Sequence, residues 1–153
     1  MAGTYSQIYL QYVIVVKYRE ILLSTEWRGE VFKYMSGIIT AKKHKSIIVN
    51  GVEDHVHLFV GFKPSMNIPD LIRDIKNNSS NFINEQRYLR KKFSWQEGYG
   101  VFSYSHWQVS MIYNYILNQE AHHRKQTFKE EYKTLLKEFE VPHEDKYLFD
   151  FFE

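Results

Sequence analysis

The segment 52–60 constrains the fold most, because apolar residues alternate along it with two histidines. Side chains on a β-strand point to opposite faces with a period of two, so His55 and His57 share one face. The apolar residues between and after them share the other face, which predicts a strand lying against a core. Two imidazoles on one face can converge on a divalent metal ion; two solvated strand histidines are the ordinary alternative.

Tyr115 and Gln119 form a second candidate pair. Read as a helix, this region places the two side chains four residues apart on one stripe. A separate apolar stripe is predicted to be buried; it consists of Val109, Ile112, Tyr113, Ile116 and Leu117. The periodicity therefore indicates that Tyr115 is the free tyrosine and Tyr113 the buried one, the alternative for Tyr115 being an ordinary surface residue.

Composition narrows the class of protein. With 153 residues, the chain is expected to form one domain, 1–153, with a real core. The absence of cysteine excludes disulfides and thiolate metal sites. The net charge of +2 means that any nucleic-acid surface must come from local basic clusters. We expect a cytoplasmic protein without membrane contact, because residues 1–5 lack the features of a signal peptide and no apolar stretch approaches a membrane span.

The order of predicted elements is strand, helix, strand, strand, helix, strand, helix, helix. The predicted strands are 7–17, 46–52, 55–62 and 100–105. Helices are predicted after Ser24 or Thr25, after Ser65 or Asn67, after a capping box of Ser105 with Gln108, and over 127–140. This order predicts an α+β fold, close to ferredoxin-like, with a mostly antiparallel sheet covered by helices. The tail at 147–152 is expected to dock on an apolar surface.

The two pairs together form a His-hydrophobic-His strand followed by Tyr-Ile-x-x-Gln. This pattern resembles the single-tyrosine (Y1) HUH transposases of the IS200/IS605 type. Further blocks occur in that family's order over roughly residues 7 to 150: Lys17-Tyr18-Arg19, Gly37-Ile38-Ile39, residues 75–80 and 95–100, Ser103, Ser105 and His122-His123. The resemblance implies the HUH endonuclease fold and a homodimer in which two sheets join.

The resemblance also implies an activity. Tyr115 would be the nucleophile, forming a 5′-phosphotyrosine link, and His55, His57 and Gln119 would bind Mg²⁺ or Mn²⁺. The substrate would be single-stranded DNA at the hairpin-bearing ends of the chain's own insertion sequence, cut and rejoined without ATP. The family further implies that Tyr115 of one chain faces the histidines of the other, but the residues themselves do not decide between a cis and a trans site.

Two neighbouring residues are possible accessories. Asp54 could supply a carboxylate, but its strand period is opposite to that of the histidines, and a turn residue is the favoured interpretation. His122 lies near the Tyr115 stripe and could be an accessory ligand or proton carrier. We expect His123 to be packed or solvated. The remaining histidines are interpreted as surface residues: His44, His106 and His143.

Candidate DNA contacts lie on the second predicted helix and just after it. They are Arg73, Lys76, Asn77, Ser80, Arg87, Arg90, Lys91, Lys92 and Trp95. Cations beside exposed aromatic rings suit single strands, whose phosphates are neutralised while their bases stack on the rings. A solvated helix face with Trp95 in the core is the alternative.

Other interpretations stay open. Many members of the family carry a histidine in the first strand where this chain has Gln11, so no role is transferred to that strand. A replication-initiation or relaxase-like nickase would use the same two histidines but normally needs a larger chain. A catalytically silent nucleic-acid-binding module of the same fold would leave the histidines and Tyr115 without a role.

Overall fold

The computed structural model describes residues 3–124 and 126–143. Their elements, in chain order, are β1 (Tyr9–Val15), α1 (Arg28–Ala41), β2 (Lys45–Gly51), β3 (His55–Gly61), α2 (Ile68–Gln86), β4 (Gly100–Tyr104), α3 (Val109–Leu117), α4 (Gln119–His123) and α5 (Phe128–Glu138). The predicted α+β fold is confirmed, although three helices follow β4 where two were predicted. The tail at 147–152 lies outside the described residues. None of the described helices combines the length and apolar character needed to cross a lipid bilayer.

The four strands form one antiparallel sheet in the order β2-β3-β1-β4. This is the strand order of a ferredoxin-like fold, as predicted. β1 lies in the middle because it is apolar towards both faces, and six of its seven residues are buried. In its pairing with β3, Val13 lies opposite His57 and Val15 opposite His55.

One face of the sheet forms the larger apolar core. Along β3 it carries Val56, Leu58 and Val60, all fully buried. Helices α1 and α2 cover this face with their own apolar residues. α2 begins at Asn67, whose side chain accepts a hydrogen bond of 2.9 Å from the Asp70 N–H, as the predicted cap requires.

The opposite face carries His55 and His57, and α5 packs over part of it. A smaller apolar cluster forms there from Val13, Val15, Phe102, Phe128, Tyr132 and Leu136. Gly100 permits the close approach of α5, since a Cβ at this position would lie 2.5 Å from the Tyr132 hydroxyl. The candidate site is therefore enclosed between the sheet and the C-terminal helices.

The apolar stripe that was predicted to be buried on α3 is mostly not buried within a single chain. Of the predicted apolar stripe, only Ile116 is buried, whereas Tyr113 is 38% exposed and Leu117 51% exposed. α3 directs Tyr115 and Ile116 towards the rest of the chain and leaves its most apolar side outside. The helix also ends at Asn118, so Gln119 begins α4 rather than continuing α3.

The prediction that His44 is a surface residue is wrong. His44 is buried rather than superficial, and its ring stacks on Phe62 with the ring centroids 4.7 Å apart. Its Nδ1 accepts a hydrogen bond from the backbone N–H of Lys63. His106 and His143 are exposed, as expected.

Candidate active site and metal centre

His55 and His57 lie side by side on one face of β3, as the strand period predicts. Their ring centroids are 5.2 Å apart, and both side chains are fully buried. They are therefore not solvated strand histidines. Buried imidazoles need hydrogen-bond partners, and the structure provides them on both sides of each ring.

The Nδ1 atoms of both rings contact groups outside the centre. His55 Nδ1 lies 2.8 Å from Asp54 Oδ1, and Asp54 also pairs with Arg19 at 3.2 Å. His57 Nδ1 lies 2.7 Å from Gln11 Oε1. Asp54 lies in the turn before β3, in agreement with the favoured interpretation, but its carboxylate contacts the His55 ring. Both Nε2 atoms consequently face the same point.

Glu131 of α5 lies at that point, and it is not among the ligands predicted from the sequence. Its Oε1 is 3.0 Å from His57 Nε2 and 3.5 Å from His55 Nε2. The carboxylate is 2% exposed. A signal was present in the sequence: Glu131 falls at helical spacing among the buried residues Phe128 and Tyr132, where an apolar side chain is expected.

Tyr115 and Gln119 reach the other oxygen of the same carboxylate. The Tyr115 hydroxyl donates a hydrogen bond to Glu131 Oε2, and Gln119 Nε2 lies 3.4 Å from it. Gln119 Oε1 also lies 3.3 Å from His55 Nε2. The predicted nucleophile and the predicted ligands are thus brought together, although they come from three separate elements.

The two histidines of α4 border this group. The ring of His122 packs on Tyr115 with centroids 4.4 Å apart, so His122 lies beside Tyr115 as predicted. His123 packs against His55, and its Nε2 lies 3.4 Å from Glu131 Oε1. Three imidazoles therefore approach one carboxylate oxygen.

Burial and charge together set the protonation of the centre. Burial alone would lower the pKa of His55, but its hydrogen bonds and charge interactions with Asp54 and Glu131 raise it to about 9. Burial lowers the pKa of His57. Burial would raise the pKa of Glu131, but His57, His123 and His55 hold it well below its usual range. Burial and the Glu131 charge raise the pKa of Tyr115 well above its usual value.

The donor set fits a divalent metal ion. Ligand atoms of His55, His57 and Glu131 lie within 4.8 Å of one another, and Gln119 adds an amide oxygen beside them. Nitrogen and oxygen donors without thiolate suit ions such as Mn²⁺. The buried carboxylate also supplies a negative charge that partly neutralises the ion. The sequence analysis predicted three of these four donors.

The predicted DNA contacts do not lie at this centre. α2 covers the opposite face of the sheet, and Lys76 donates to the carbonyl oxygens of Gln96 and Gly98 at 2.7 and 2.9 Å. Trp95 is buried, and its indole N–H donates to Ser79 Oγ at 2.9 Å. Trp95 is therefore a core residue, not an exposed ring for base stacking. The rest of the set is at the surface or half-buried: Arg73, Asn77, Ser80, Arg87, Arg90, Lys91 and Lys92.

A cavity of about 340 Å³ opens onto the Tyr115 side chain. Gln11, Tyr104, Tyr115 and Glu131 are among the residues that line it. A substrate in this cavity would approach the Tyr115 hydroxyl and the donors behind it.

Comparisons with known proteins agree with this fold. A candidate transposase from Deinococcus radiodurans R1 has a TM-score of 0.63 and 23% identity, covering 78% of this chain and 95% of its own. A REP-associated tyrosine transposase bound to a REP hairpin has a TM-score of 0.59 and 12% identity, covering 80% of this chain and 73% of its own. No curated protein matches the chain significantly.

The sequence identifies the family. The model described as "Transposase IS200 like" matches residues 4–119, a segment that includes His55, His57, Tyr115 and Gln119. The chain therefore belongs to the IS200-like transposases, a class of DNA-cutting enzymes. Glu131 lies beyond the matched segment.

Proposed function

We propose that this chain is a metal-dependent transposase that cuts and rejoins single-stranded DNA at the hairpin-bearing ends of its own insertion sequence. The observation that carries the proposal is the convergence of a tyrosine hydroxyl, two imidazoles, an amide and a carboxylate beside one open cavity. The REP-associated relative, which is bound to a hairpin, is consistent with this class of substrate.

The chemistry proposed for Tyr115 is a transfer of the DNA phosphoryl group to its hydroxyl oxygen. The Tyr115 Oη–H bond breaks, a bond forms from Oη to phosphorus, and the bond from phosphorus to the 3′-oxygen breaks. The products are a 5′-phosphotyrosine and, after proton uptake, a free 3′-hydroxyl. Attack by a 3′-hydroxyl on the phosphotyrosine reverses the step and joins DNA ends without ATP.

Four side chains would hold the metal ion, which we propose is Mg²⁺ or Mn²⁺: His55, His57, Gln119 and Glu131. A bound divalent ion withdraws charge from the scissile phosphate and stabilises the leaving oxygen. Glu131→Gln keeps the size of the side chain and removes its charge. We expect this variant to bind Mn²⁺ about tenfold or more weakly, measured by calorimetry, because an anionic oxygen donor is lost.

The direct test is the covalent intermediate. The protein is incubated with Mg²⁺ and a single-stranded oligonucleotide carrying the element's end, then denatured and separated by electrophoresis. A transposase or a nickase gives a protein–DNA adduct that survives denaturation, whereas a silent binding module gives only a salt-sensitive shift. Rejoining to a second 3′-end distinguishes the transposase, and absence of any adduct refutes the proposal.

We also propose a homodimer, supported by the outer side of α3 and the turn before it. Trp107 is 89% exposed, Met111 61% and Leu117 51%, and Tyr113 and Leu117 belong to the apolar stripe predicted to be buried. β4 is an edge strand of the sheet, where a partner's strand can pair. Sedimentation of the protein as a monomer would contradict the dimer.

A mixed dimer distinguishes a cis from a trans site. Within one chain, the ring of Tyr115 already lies 6.3 Å from that of His57, so a single chain can close its own site. In the experiment, Tyr115→Phe protein is mixed with protein carrying both His55→Ala and His57→Ala. Adduct formation by the mixture shows a trans site, whereas inactivity of exchanged dimers shows a cis site.

A further inference from the structure

Gln11 is the one polar side chain of β1 that faces the candidate site. It is 1% exposed and lies in the sheet opposite Phe59 on β3 and Phe102 on β4. An apolar side chain would be cheaper to bury at such a position, because an amide must keep its hydrogen bonds. The Gln11 amide makes two hydrogen bonds. Its Nε2 contacts the Tyr104 hydroxyl at 2.6 Å, and its Oε1 contacts His57 Nδ1 at 2.7 Å.

The orientation of the Gln11 amide determines what His57 can present to the centre. In the structure the amide nitrogen donates to the Tyr104 oxygen, and the amide oxygen faces His57. A carbonyl oxygen only accepts hydrogen bonds, so His57 Nδ1 must carry the hydrogen. In a neutral imidazole the lone pair is then on the other nitrogen, Nε2, which lies 3.0 Å from Glu131 Oε1. Two acceptor atoms need a proton or a cation between them, so a metal ion would take the place of the proton at this contact.

We propose that Gln11 is a positioning residue for His57, whose amide oxygen holds the Nδ1–H tautomer and directs the Nε2 lone pair to the metal. The inference rests on the proposed metal site and assigns a role to a residue of the first strand. Asp54 makes the corresponding contact with His55, but as a carboxylate at the rim of the site. Partners of this kind fix both the tautomer and the ring orientation of a metal-binding histidine.

The tautomer can be read directly in metal-free protein carrying Glu131→Leu, because no carboxylate then competes for the His57 hydrogen at Nε2. Full-length chain labelled with ¹⁵N-histidine is studied by long-range ¹H–¹⁵N correlation, and the His57 signals are assigned by their loss in His57→Ala. In this background we expect the chain with Gln11, and equally Gln11→Glu, which retains the acceptor, to show the Nδ1–H tautomer. Gln11→Met, of similar size but without an acceptor, should show a mixture of the two tautomers.

Metal affinity provides the second measurement. We expect Gln11→Met to bind Mn²⁺ about 10–100-fold more weakly than wild type by calorimetry, with Gln11→Glu restoring the affinity. Gln126→Met is the matched control, since Gln126 lines the same cavity and should leave both measurements unchanged. Tyr104→Phe, which removes the partner that orients the Gln11 amide, should weaken Mn²⁺ binding by a smaller factor.

Several outcomes would overturn the proposal. An Nε2–H tautomer of His57 in the Glu131→Leu background with Gln11 intact refutes it, and so does unchanged Mn²⁺ affinity in folded Gln11→Met. If Gln11→Met does not fold by circular dichroism, unchanged affinity in Tyr104→Phe refutes it instead. A wild type that binds no Mn²⁺ refutes the proposed metal centre together with this inference, whereas normal Mn²⁺ binding with the wrong tautomer refutes only the role of Gln11.

Discussion

The two faces of the β-sheet are equally buried but chemically different. Along β3, Val56, Leu58 and Val60 meet an apolar core on one side, while His55 and His57 meet amides and carboxylates on the other. Both histidines and all three apolar residues are fully buried. Burial alone therefore does not distinguish core from site. The apolar face stabilises the fold, whereas the polar face requires a partner for every group and serves the chemistry.

The largest expected effect is at the proposed nucleophile, Tyr115. Tyr115→Phe should abolish the covalent adduct while stability and DNA binding stay close to wild type, since only one hydroxyl is lost. The matched control is Tyr113→Phe, whose ring lies on the outer side of α3 and which should keep its activity. An inactive Tyr113→Phe together with an active Tyr115→Phe would show that the nucleophile is wrongly assigned.

The second largest effect is expected when a proposed metal ligand on the polar face is replaced. His55→Ala, His57→Ala and Gln119→Ala should each reduce cleavage by at least about a hundredfold and weaken Mn²⁺ binding. Single-stranded DNA binding, measured by fluorescence anisotropy, should be largely kept, because the proposed phosphate and base contacts lie elsewhere. Full cleavage by the double histidine variant would eliminate the metal assignment.

A substitution on the apolar face should lower stability and leave the activity of the folded molecules unchanged. Leu58→Ala is expected to lower the free energy of unfolding by about 3 kcal/mol, because it leaves a cavity in a fully buried core. Urea denaturation measures this loss. The molecules that remain folded should form the adduct normally, so a folded but inactive Leu58→Ala would show that the two faces are not independent.

Protonation of His55 should make the metal-free protein sensitive to pH. The folded-state pKa of about 9 lies above the ordinary value of 6.5, so the stabilisation is fully present below pH 6.5 and is lost as the pH rises through 9. We expect the free energy of unfolding to fall by roughly 3 kcal/mol over this range. His55→Ala should remove most of that slope. Mn²⁺ affinity should increase over the same range, because the ion competes with the proton.

The smallest expected effect concerns the exposed basic run after α2. Arg90→Ala or Lys92→Ala should weaken single-stranded DNA binding by only a fewfold and reduce its salt dependence, since each removes at most one phosphate contact. Because this run follows the helix that covers the other face of the sheet, cleavage of bound DNA should be unaffected. If both variants bind single-stranded DNA with the affinity and salt dependence of wild type, these residues do not belong to the proposed DNA surface.

The sequence was most informative where periodicity acts over a few residues. Strand alternation correctly placed His55 and His57 together, and the order of elements predicted the sheet. Glu131 was missed because its contact with His57 depends on how α5 crosses the sheet, which no local pattern encodes. The burial of Tyr113 was wrong for a related reason: the pattern finds the apolar side of a helix but does not tell whether that side meets its own chain.

The dispersal of the active centre along the chain also affects its synthesis. The centre draws on β1, β3, α3, α4 and α5, so its groups extend from Gln11 to Glu131. Chains emerge from the ribosome N-terminus first, at about 5–20 residues per second. The strands and the first two helices can fold before the nucleophile and the carboxylate have left the ribosome tunnel. A nascent chain therefore carries both histidines before it carries the proposed nucleophile and the carboxylate, and the proposed centre can assemble only after α5 has emerged.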